Sequence, residues 1–219
     1  MLLLILLALA LCIGAGDTCN SISTLVGGKL FTLRKALVFA ACFLTLGVLL
    51  EGWKVQETVA EKLVLGGPFF ELHPAFVVPI GFAVVVSSFI FILLGLPVST
   101  TQTMIASTVG AALATVGVQQ LNFPVLRLML VCWILAPGIS LSLGFLLANI
   151  FGRALVRIRS MLGLDKLFKI FLPVASAYVA YANGANDGGA LLGLATAVGS
   201  GIPFAFLVSL MMALGALLL

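Results

Sequence analysis

Charged side chains are scarce in this chain: only 8% of its 219 residues are Asp, Glu, Lys or Arg, whereas 63% are hydrophobic. This composition excludes a soluble globular domain and predicts an all-α integral membrane protein in contact with lipid. The net charge of +4 is small and divided among several loops, which argues against nucleic acid as a partner. Because a spanning helix takes roughly 20 apolar residues, about seven or eight membrane segments are expected.

Metal-binding side chains are equally scarce. His73 is the only histidine, and the four cysteines lie in apolar segments without forming a Cys-x-x-Cys pair. The sequence therefore predicts neither a zinc site nor a disulfide framework, and no cofactor. Residues 1–13 have no Lys or Arg ahead of their apolar run and no clean cleavage site, so they are interpreted as the start of the first membrane segment.

The loops between the apolar runs differ in charge. The runs themselves fall at about 1–27, 36–53, 75–96, 101–118, 124–152, 168–183, 186–200 and 203–219. Basic residues dominate the loops 28–35 and 153–169, whereas acids outnumber bases in the loop 54–74. The positive-inside rule predicts a multi-pass protein of the cell membrane with 28–35 and 153–169 in the cytoplasm and the N-terminus outside.

Two carboxylates, Asp17 and Asp187, lie deep in apolar sequence within copies of one motif. The copies read Gly-Ala-Gly-Asp at 14–17 and Gly-Ala-Asn-Asp at 184–187. An ionised carboxylate in hydrocarbon costs at least ~2.5 kcal/mol, so both are functional-site candidates. The charge of the loops places an odd number of crossings between the two motifs. Their orientations are then opposite, which predicts an inverted-topology repeat, a transporter architecture with a site near the membrane midplane.

The repeat divides the single membrane domain unevenly. Residues 1–152 are predicted to form the first repeat, 153–169 the basic cytoplasmic loop, and 170–219 the start of the inverted second repeat. No second copy of residues 75–152 follows, so the second repeat is expected to be incomplete. One interpretation is a truncated, inactive chain. The other is a half-transporter that works as a homo-oligomer or with a second chain that supplies the missing half.

Glycines surround both aspartates, at Gly14, Gly16, Gly184, Gly188 and Gly189. Such a cluster favours a break in a membrane helix or a close approach of two backbones, and broken helices are expected here. A broken helix exposes N–H groups at one half-helix end and carbonyls at the other, which suits ion binding. The alternative interpretation is that the glycines only permit tight helix packing.

A second polar group, Pro-Val-Ser-Thr-Thr-Gln at 97–102, interrupts two apolar runs. Pro97 is expected to end the preceding helix, and Ser99 or Thr100 to cap the next one, whose N-terminus is an anion site. Hydroxyl and N–H donors without a fixed cation suit an oxyanion that must be released again. The alternative is an ordinary capped loop, and the flanking runs form either two crossings or a re-entrant hairpin at 75–118.

The motifs resemble those of the inorganic phosphate transporter family of sodium- or proton-coupled permeases. That family carries Gly-Ala-Asn-Asp-x-x-Asn-[Ser/Ala] near the start of each of two inverted repeats, matched here at 14–21 and 184–191. It also carries Pro-[Val/Ser]-Ser-[Thr/Ser]-[Thr/Ser]-His, matched at 97–102. The resemblance implies a secondary transporter, not an enzyme, that moves inorganic phosphate by symport with sodium or protons.

The resemblance also implies two groups of site residues. The coupling cation, with sodium the only metal expected, is held by carboxylate and amide side chains: Asp17, Asn20, Asn186 and Asp187. Phosphate is held by hydroxyl and amide side chains: Ser99, Thr100, Thr101 and Gln102. Three positions depart from the family pattern: Gly16 and Ala190 replace asparagines, and Gln102 replaces a histidine. Glutamine still donates a hydrogen bond but does not titrate near neutral pH.

Two alternatives concern the activity itself. A sulfate permease of the same family is the first, because sulfate and phosphate are both tetrahedral oxyanions. An intramembrane aspartyl protease is the second, because Gly-Ala-Gly-Asp at 14–17 fits the Gly-x-Gly-Asp motif of such enzymes and two aspartates can act as an acid–base pair. Against it, that motif usually carries the second catalytic aspartate, and the sequence contains no Pro-Ala-Leu stretch.

Overall fold

Long apolar runs make helices in this chain, because a helix satisfies every backbone polar group within its own segment inside a bilayer. The computed structural model describes residues 1–94, 99–157 and 160–218. The α-helices in these ranges are α1 (Leu2–Gly27), α2 (Leu33–Glu57), α3 (Phe69–Leu72), α4 (Val77–Leu93), α5 (Thr100–Thr115), α6 (Phe123–Arg157), α7 (Met161–Asn183), α8 (Gly189–Ala195) and α9 (Ile202–Leu217). The same ranges contain no β-strand, only one bridging pair, Val64 and Leu121.

Several helical stretches have the length and composition that crossing a membrane requires. Four helical stretches of the described chain are long and apolar enough: Leu2–Gly27, Leu33–Lys62, Pro74–Phe91 and Phe123–Arg153. The stretch Ile202–Leu217 is apolar but shorter. About 20 residues match a hydrocarbon layer roughly 30 Å thick. The chain is therefore an all-α membrane protein, as its composition predicts.

The second motif differs from the expected helix break. The sequence predicts separate runs at 168–183 and 186–200, yet α7 continues through a π-helical turn, Gly184–Gly188, directly into α8. A π-helical turn takes in one extra residue without ending the helix, and such turns are frequent at functional sites. In the first motif, α1 passes through Gly14 and Gly16 without interruption. Of the two possibilities that the glycine clusters left open, a helix break and a close approach of two backbones, the break therefore does not occur at either motif.

The two motif-bearing helices, α1 and α7, run in opposite directions. Toward the C-terminal end of α1, the Thr24 hydroxyl is hydrogen-bonded to the Ser176 hydroxyl at 3.2 Å. Earlier in α1, the backbone carbonyl of Asp17 accepts a hydrogen bond from the Asn183 side-chain amide at 3.4 Å. Residue numbers thus fall along α1 while they rise along α7. An inverted repeat requires this antiparallel geometry; the repeat itself stays a prediction.

Glycines bring helix backbones into direct contact at two crossings. Where α2 meets α7, a methyl group added at Gly47 would lie 2.0 Å from the carbonyl oxygen of Tyr181. One added at Gly184 would lie 2.0 Å from that of Leu44. Helices α1 and α9 meet in the same manner, with carbonyl oxygens 2.0 Å from the added methyl groups, at Gly14 with Met212 and Gly215 with Leu11. The interpretation that the motif glycines permit tight packing is confirmed for Gly14 and Gly184.

Helices α4 and α5 form a hairpin whose open end is held by backbone pairing. Ahead of α4, the N–H of Leu65 donates to the carbonyl of Gln120, which follows α5, at 2.7 Å. The other end of the hairpin lies between Leu94 and Ser99, and the expected helix end at Pro97 falls outside the described residues. Helix α4 therefore begins, and α5 ends, on the same side of the protein, and the start of α5 lies in its interior.

Helix α6 packs on little else in the described chain. It runs for 35 residues with Pro137 inside it, and none of its described side chains is buried. Large apolar side chains cover its surface, among them Ile134, Leu141 and Phe145 at 76%, 75% and 73% exposure. A helix that is apolar all round suits a lipid environment. The candidate site is built without it.

Candidate functional site

The first turn of α5 presents the hydroxyls predicted to hold the anion. Ser99 precedes the helix in extended backbone geometry, and its hydroxyl accepts a hydrogen bond from the N–H of Gln102 at 3.3 Å. The Ser99 carbonyl accepts one from the Thr103 hydroxyl at 3.0 Å. The predicted cap is therefore confirmed at Ser99, and Thr100 becomes the first helical residue. With the cap in place, the hydroxyls of Thr100 and Thr101 are free to reach other helices.

Thr100 and Thr101 reach the carboxylate of the second motif. The Thr100 hydroxyl donates to Oδ1 of Asp187 at 2.8 Å. The Thr101 hydroxyl donates to the same oxygen. The Asn186 side-chain amide in turn donates to the Thr101 hydroxyl at 3.1 Å. One hydrogen-bonded group thus joins residues that sequence reasoning had assigned to separate cation and phosphate sites.

This group is largely shielded from solvent. Asp187 is 8% exposed and Thr101 6% exposed. Next to the carboxylate, Gly188 packs against Val48 and Met212, so one side of the site is apolar. Hydrogen bonds to an ionised acceptor are roughly twice as strong as neutral ones, and burial strengthens them further. Asp187 is therefore a fixed, partly satisfied acceptor inside the protein.

Asp17 lies next to this group on the antiparallel helix. Its carboxyl group is close enough to that of Asp187 for the two to interact. Oδ2 of Asp17 is buried and has no hydrogen-bond partner among the described residues. A buried acceptor without a donor is costly, because it has lost water and gained nothing in exchange. The two predicted aspartates are therefore brought together, and one of them has a free buried oxygen.

Three other predicted residues contribute less to this group. The side chains of Gln102 and Asn20 are exposed, and neither makes a side-chain hydrogen bond within the described part of the chain. The hydroxyl of Ser99 is engaged in the cap. Asn186 is exposed yet takes part through Thr101. The geometry thus centres on the two aspartates and the two threonines.

Asn183 also lies at the candidate site, although its sequence context is only a weak indication of this. Its side-chain amide donates to the backbone carbonyl of Asp17, so it joins the two motif helices at the level of the carboxylates. It stands directly before the second motif, as an amide within an otherwise apolar run. No feature of the sequence requires Asn183 at the site, because it belongs to neither motif.

The arrangement offers ligands for ions of both signs. Two carboxylates and neighbouring amide oxygens suit a hard cation, which prefers oxygen ligands. The start of α5 offers hydroxyls and N–H groups with the positive end of the helix dipole, which suits an oxyanion. Within the described residues, no cluster of three or more His, Cys, Asp or Glu side chains is placed to hold a transition metal. The side chains gathered here are thus of the types that bind hard cations and oxyanions.

Known proteins are similar to this chain in sequence. A model of the phosphate transporter family (PHO4) matches residues 13–219. The chain is 29% identical over 128 residues to a sodium-dependent phosphate transporter of Plasmodium falciparum, covering 57% of this chain and 19% of that protein. It is 32% identical over 130 residues to sodium-dependent phosphate transporter 1 of Mus musculus, covering 58% and 19%. It is 29% identical over 141 residues to a sulfate permease of Bacillus subtilis, covering 64% and 38%.

A solved structure shares the fold. The structure of a sodium-dependent phosphate transporter superposes with a TM-score of 0.75 at 21% identity, covering 98% of this chain and 73% of that one. The chain spans about a fifth to two fifths of the length of the three curated relatives described above. The family model, in contrast, matches almost the whole chain and includes both aspartates and both threonines. This chain belongs to the phosphate transporter family.

Proposed function

We propose that the chain is the ion-binding part of a secondary transporter that moves inorganic phosphate in symport with sodium or protons. One observation carries this proposal: a buried carboxylate, Asp187, is hydrogen-bonded to Thr100 and Thr101 at the N-terminus of α5. That contact joins a place for a cation to a place for an oxyanion. Membership of the family supports phosphate as the cargo.

The cation is held between the two motifs. Oδ2 of Asp17 is buried and has no hydrogen-bond partner in the described part of the chain, and a small cation would supply the missing interaction. Asp187 adds a second charge, and the amide oxygens of Asn186 and Asn20 complete a set of oxygen ligands. A proton shared by the two carboxylates would serve the same purpose, because like charges in close contact do not both stay ionised.

The oxyanion binds at the start of α5. Thr100 and Thr101 provide hydroxyls, Ser99 and Gln102 flank them, and the first N–H groups of the helix face the same space. The exposed side chain of Gln102 reaches the anion once it is present. This donor set carries no fixed positive charge, so it binds the anion weakly enough for the anion to be released again.

The hairpin of α4 and α5 enters the membrane without crossing it. Thr100, at its inner end, lies beside Asp187, whose carboxyl group lies next to Asp17. Ten residues of α1 separate Asp17 from Gly27, the end of the helix, which is roughly 15 Å. The inner end of the hairpin therefore stops short of that side of the protein. A re-entrant hairpin beside two antiparallel motif helices is the geometry of a midplane site with alternating access.

The loops set the direction of this arrangement. The basic loops 28–35 and 153–169 lie in the cytoplasm and the N-terminus lies outside, following the positive-inside rule. In this proposal residues 1–152 form the first repeat and residues 170–219 the start of the inverted second repeat.

Sulfate is the second candidate cargo. One relative of similar identity is a sulfate permease of Bacillus subtilis, of which this chain covers 38%. Hydroxyl and N–H donors do not by themselves separate two tetrahedral oxyanions. The aspartyl protease alternative is not retained, because the matched family consists of transporters and its model includes Asp17 and Asp187.

Uptake and binding of labelled phosphate test the proposal. The full chain is reconstituted in proteoliposomes, and phosphate binding and uptake are measured with and without a sodium gradient and with sulfate as a competitor. Asp17→Asn and Asp187→Asn are expected to weaken the sodium-dependent binding of phosphate by at least about tenfold. Even the replacement of an outer-shell partner of a metal ion typically lowers metal affinity 10–100-fold. Asp165→Asn makes the same chemical change at an exposed ion pair on α7 and is expected to bind like the parent chain.

The outcomes separate the alternatives. Phosphate binding without uptake would indicate a half-transporter that needs a further chain. Tighter binding of sulfate than of phosphate would identify sulfate, and not phosphate, as the transported anion. Phosphate binding that Asp17→Asn and Asp187→Asn leave unchanged would overturn the assigned site.

A further inference from the structure

Two hydroxyl protons point at a single carboxylate oxygen in this structure. Thr100 and Thr101 both donate to Oδ1 of Asp187. A threonine hydroxyl has one proton and two lone pairs, so each has spent its only proton on Asp187. Thr101 also accepts from the amide of Asn186, which occupies one of its lone pairs. In this state neither hydroxyl is able to donate to an incoming oxyanion, and their lone pairs repel it.

We propose that Thr100 and Thr101 are shared ligands through which the cation controls the affinity for the anion. A cation bound at Asp187 takes over the carboxylate oxygen and receives the hydroxyl lone pairs. The hydroxyl protons then turn away from Asp187 and toward the oxyanion. This inference rests on the proposed function and adds to it the residues that link the two ions.

The change requires no movement of the backbone. A hydroxyl proton rotates about a single bond to suit its surroundings. Ser99 holds the start of α5 in place through its cap, and Thr103 adds a second bond to the Ser99 carbonyl. The oxygen atoms of Thr100 and Thr101 therefore stay where they are while the direction of donation reverses. If the anion binds first, the two hydrogen bonds that Asp187 accepts from the threonine hydroxyls must break. The buried carboxylate then has no replacement for them, which is costly.

A different interpretation makes different predictions. If the two threonines only satisfy a buried carboxylate, removing the charge of Asp187 would weaken packing and lower phosphate affinity equally with and without sodium. If they link the two ions, removing the charge raises phosphate affinity in the absence of sodium and abolishes the effect of sodium. Without sodium, the two interpretations therefore predict changes of opposite sign in the phosphate affinity of the Asp187 variant.

The experiment measures phosphate affinity of the full chain in lipid nanodiscs, in sodium and in choline. The parent chain is expected to bind phosphate about 5- to 150-fold more tightly in sodium, the usual range for coupling between two sites. Asp187→Asn is expected to show a ratio near one, with phosphate binding in choline tighter than that of the parent. Thr100→Val is expected to reduce the ratio, and Thr100→Ser to restore it.

Matched controls keep the outcome interpretable. Thr115→Val makes the same change near the other end of α5, where the hydroxyl bonds only to its own helix, and is expected to leave the ratio unchanged. Should Asp187→Asn fail to fold, the Thr100→Val and Thr100→Ser pair decides alone. A sodium ratio that survives in Thr100→Val would overturn this inference while leaving the proposed function intact. One that survives in Asp187→Asn would overturn this inference and the assigned cation site together. Absence of phosphate binding by the parent chain under both conditions would overturn both.

Discussion

Gly184 lies directly against the backbone of Leu44: a methyl group added to the glycine would sit 2.0 Å from that carbonyl oxygen. The same crossing contains Gly47, which faces the carbonyl of Tyr181 at the same distance. Because the two helices touch through backbone atoms at this crossing, there is no flexible side chain that could move to accommodate an added methyl group. The contact therefore fixes the second motif on α2 at the level where the π-helical turn begins.

Replacing Gly184 or Gly47 by alanine is expected to separate the two helices. Inserting a methylene-sized group into a packed core costs about 1–3 kcal/mol, and the backbone contact places these sites toward the upper end. Unfolding in mixed detergent micelles measures the change. Gly138→Ala on α6, where nothing lies within 4 Å of the added methyl group, serves as the control. It is expected to be neutral or stabilising by up to about 1 kcal/mol, because alanine favours helix. An equal decrease in the free energy of unfolding for the alanine variants of Gly184, Gly47 and Gly138 would contradict the close-contact interpretation.

The pair Thr24 and Ser176 is expected to show an energetic coupling between α1 and α7. Their hydroxyls are hydrogen-bonded at 3.2 Å across the antiparallel interface. A double-mutant cycle with Thr24→Val and Ser176→Ala is expected to give a coupling of about 0.6 kcal/mol, typical of such contacts in membranes. Replacing Ser176→Ala by Ser142→Ala, whose hydroxyl bonds within α6, gives the control cycle. Its expected coupling with Thr24→Val is zero, and an equal coupling in both cycles would remove the interhelical explanation.

A histidine at position 102 is expected to make anion binding depend on pH. Gln102 is exposed in the first turn of α5, where the family pattern has histidine. Imidazole titrates near pH 6.5, so Gln102→His gains a positive charge beside the anion as the pH falls through that value. The affinity for phosphate, expressed relative to the parent chain at each pH, is expected to rise between pH 8 and pH 5.5 by about two- to fivefold. Gln119→His, an exposed position beyond α5, is the matched control and is expected to show no such rise.

The two ends of α2 are expected to face opposite sides of the membrane. Cysteine is introduced at Lys35 or at Glu61, both exposed, after the four native cysteines are replaced. A membrane-impermeant thiol reagent applied to intact cells is expected to label Glu61→Cys and not Lys35→Cys, and to label both after permeabilisation. The reverse pattern would invert the proposed orientation, and labelling of both in intact cells would contradict a crossing by α2.

Sequence reasoning predicted the elements of this fold better than their connections. Composition and apolar run length predicted a helical membrane protein because a bilayer imposes both on any spanning segment. The hydroxyl cap at Ser99 was also predictable, since capping is local chemistry. The continuity of α7 with α8 was not, because glycine clusters serve a break and a close crossing equally well. Which of the two occurs depends on α2, a helix more than a hundred residues away in sequence.

The candidate site shows the same division. Asp17, Asp187, Thr100 and Thr101 were predicted as site residues on local chemistry and the family resemblance. That one carboxylate oxygen receives both hydroxyls was not predictable, since a single sequence records no distance between residues 86 or 87 positions apart. The part played by Asn183 was hidden for a related reason. An amide that donates to a backbone carbonyl leaves no partner side chain to recognise in the sequence.

The contact between Thr100 and Asp187 also sets an order for biosynthesis. Thr100 leaves the ribosome 87 residues before its acceptor does. The hairpin of α4 and α5 is therefore made before Asp187, the acceptor of its inner hydroxyls, and the hydrogen-bonded group stays incomplete until α7 and α8 have entered the bilayer. Assembly of the candidate site is in this way a late event of membrane insertion, and a nascent chain stalled within α6 carries Thr100 and Thr101 without the carboxylate that accepts their hydrogen bonds.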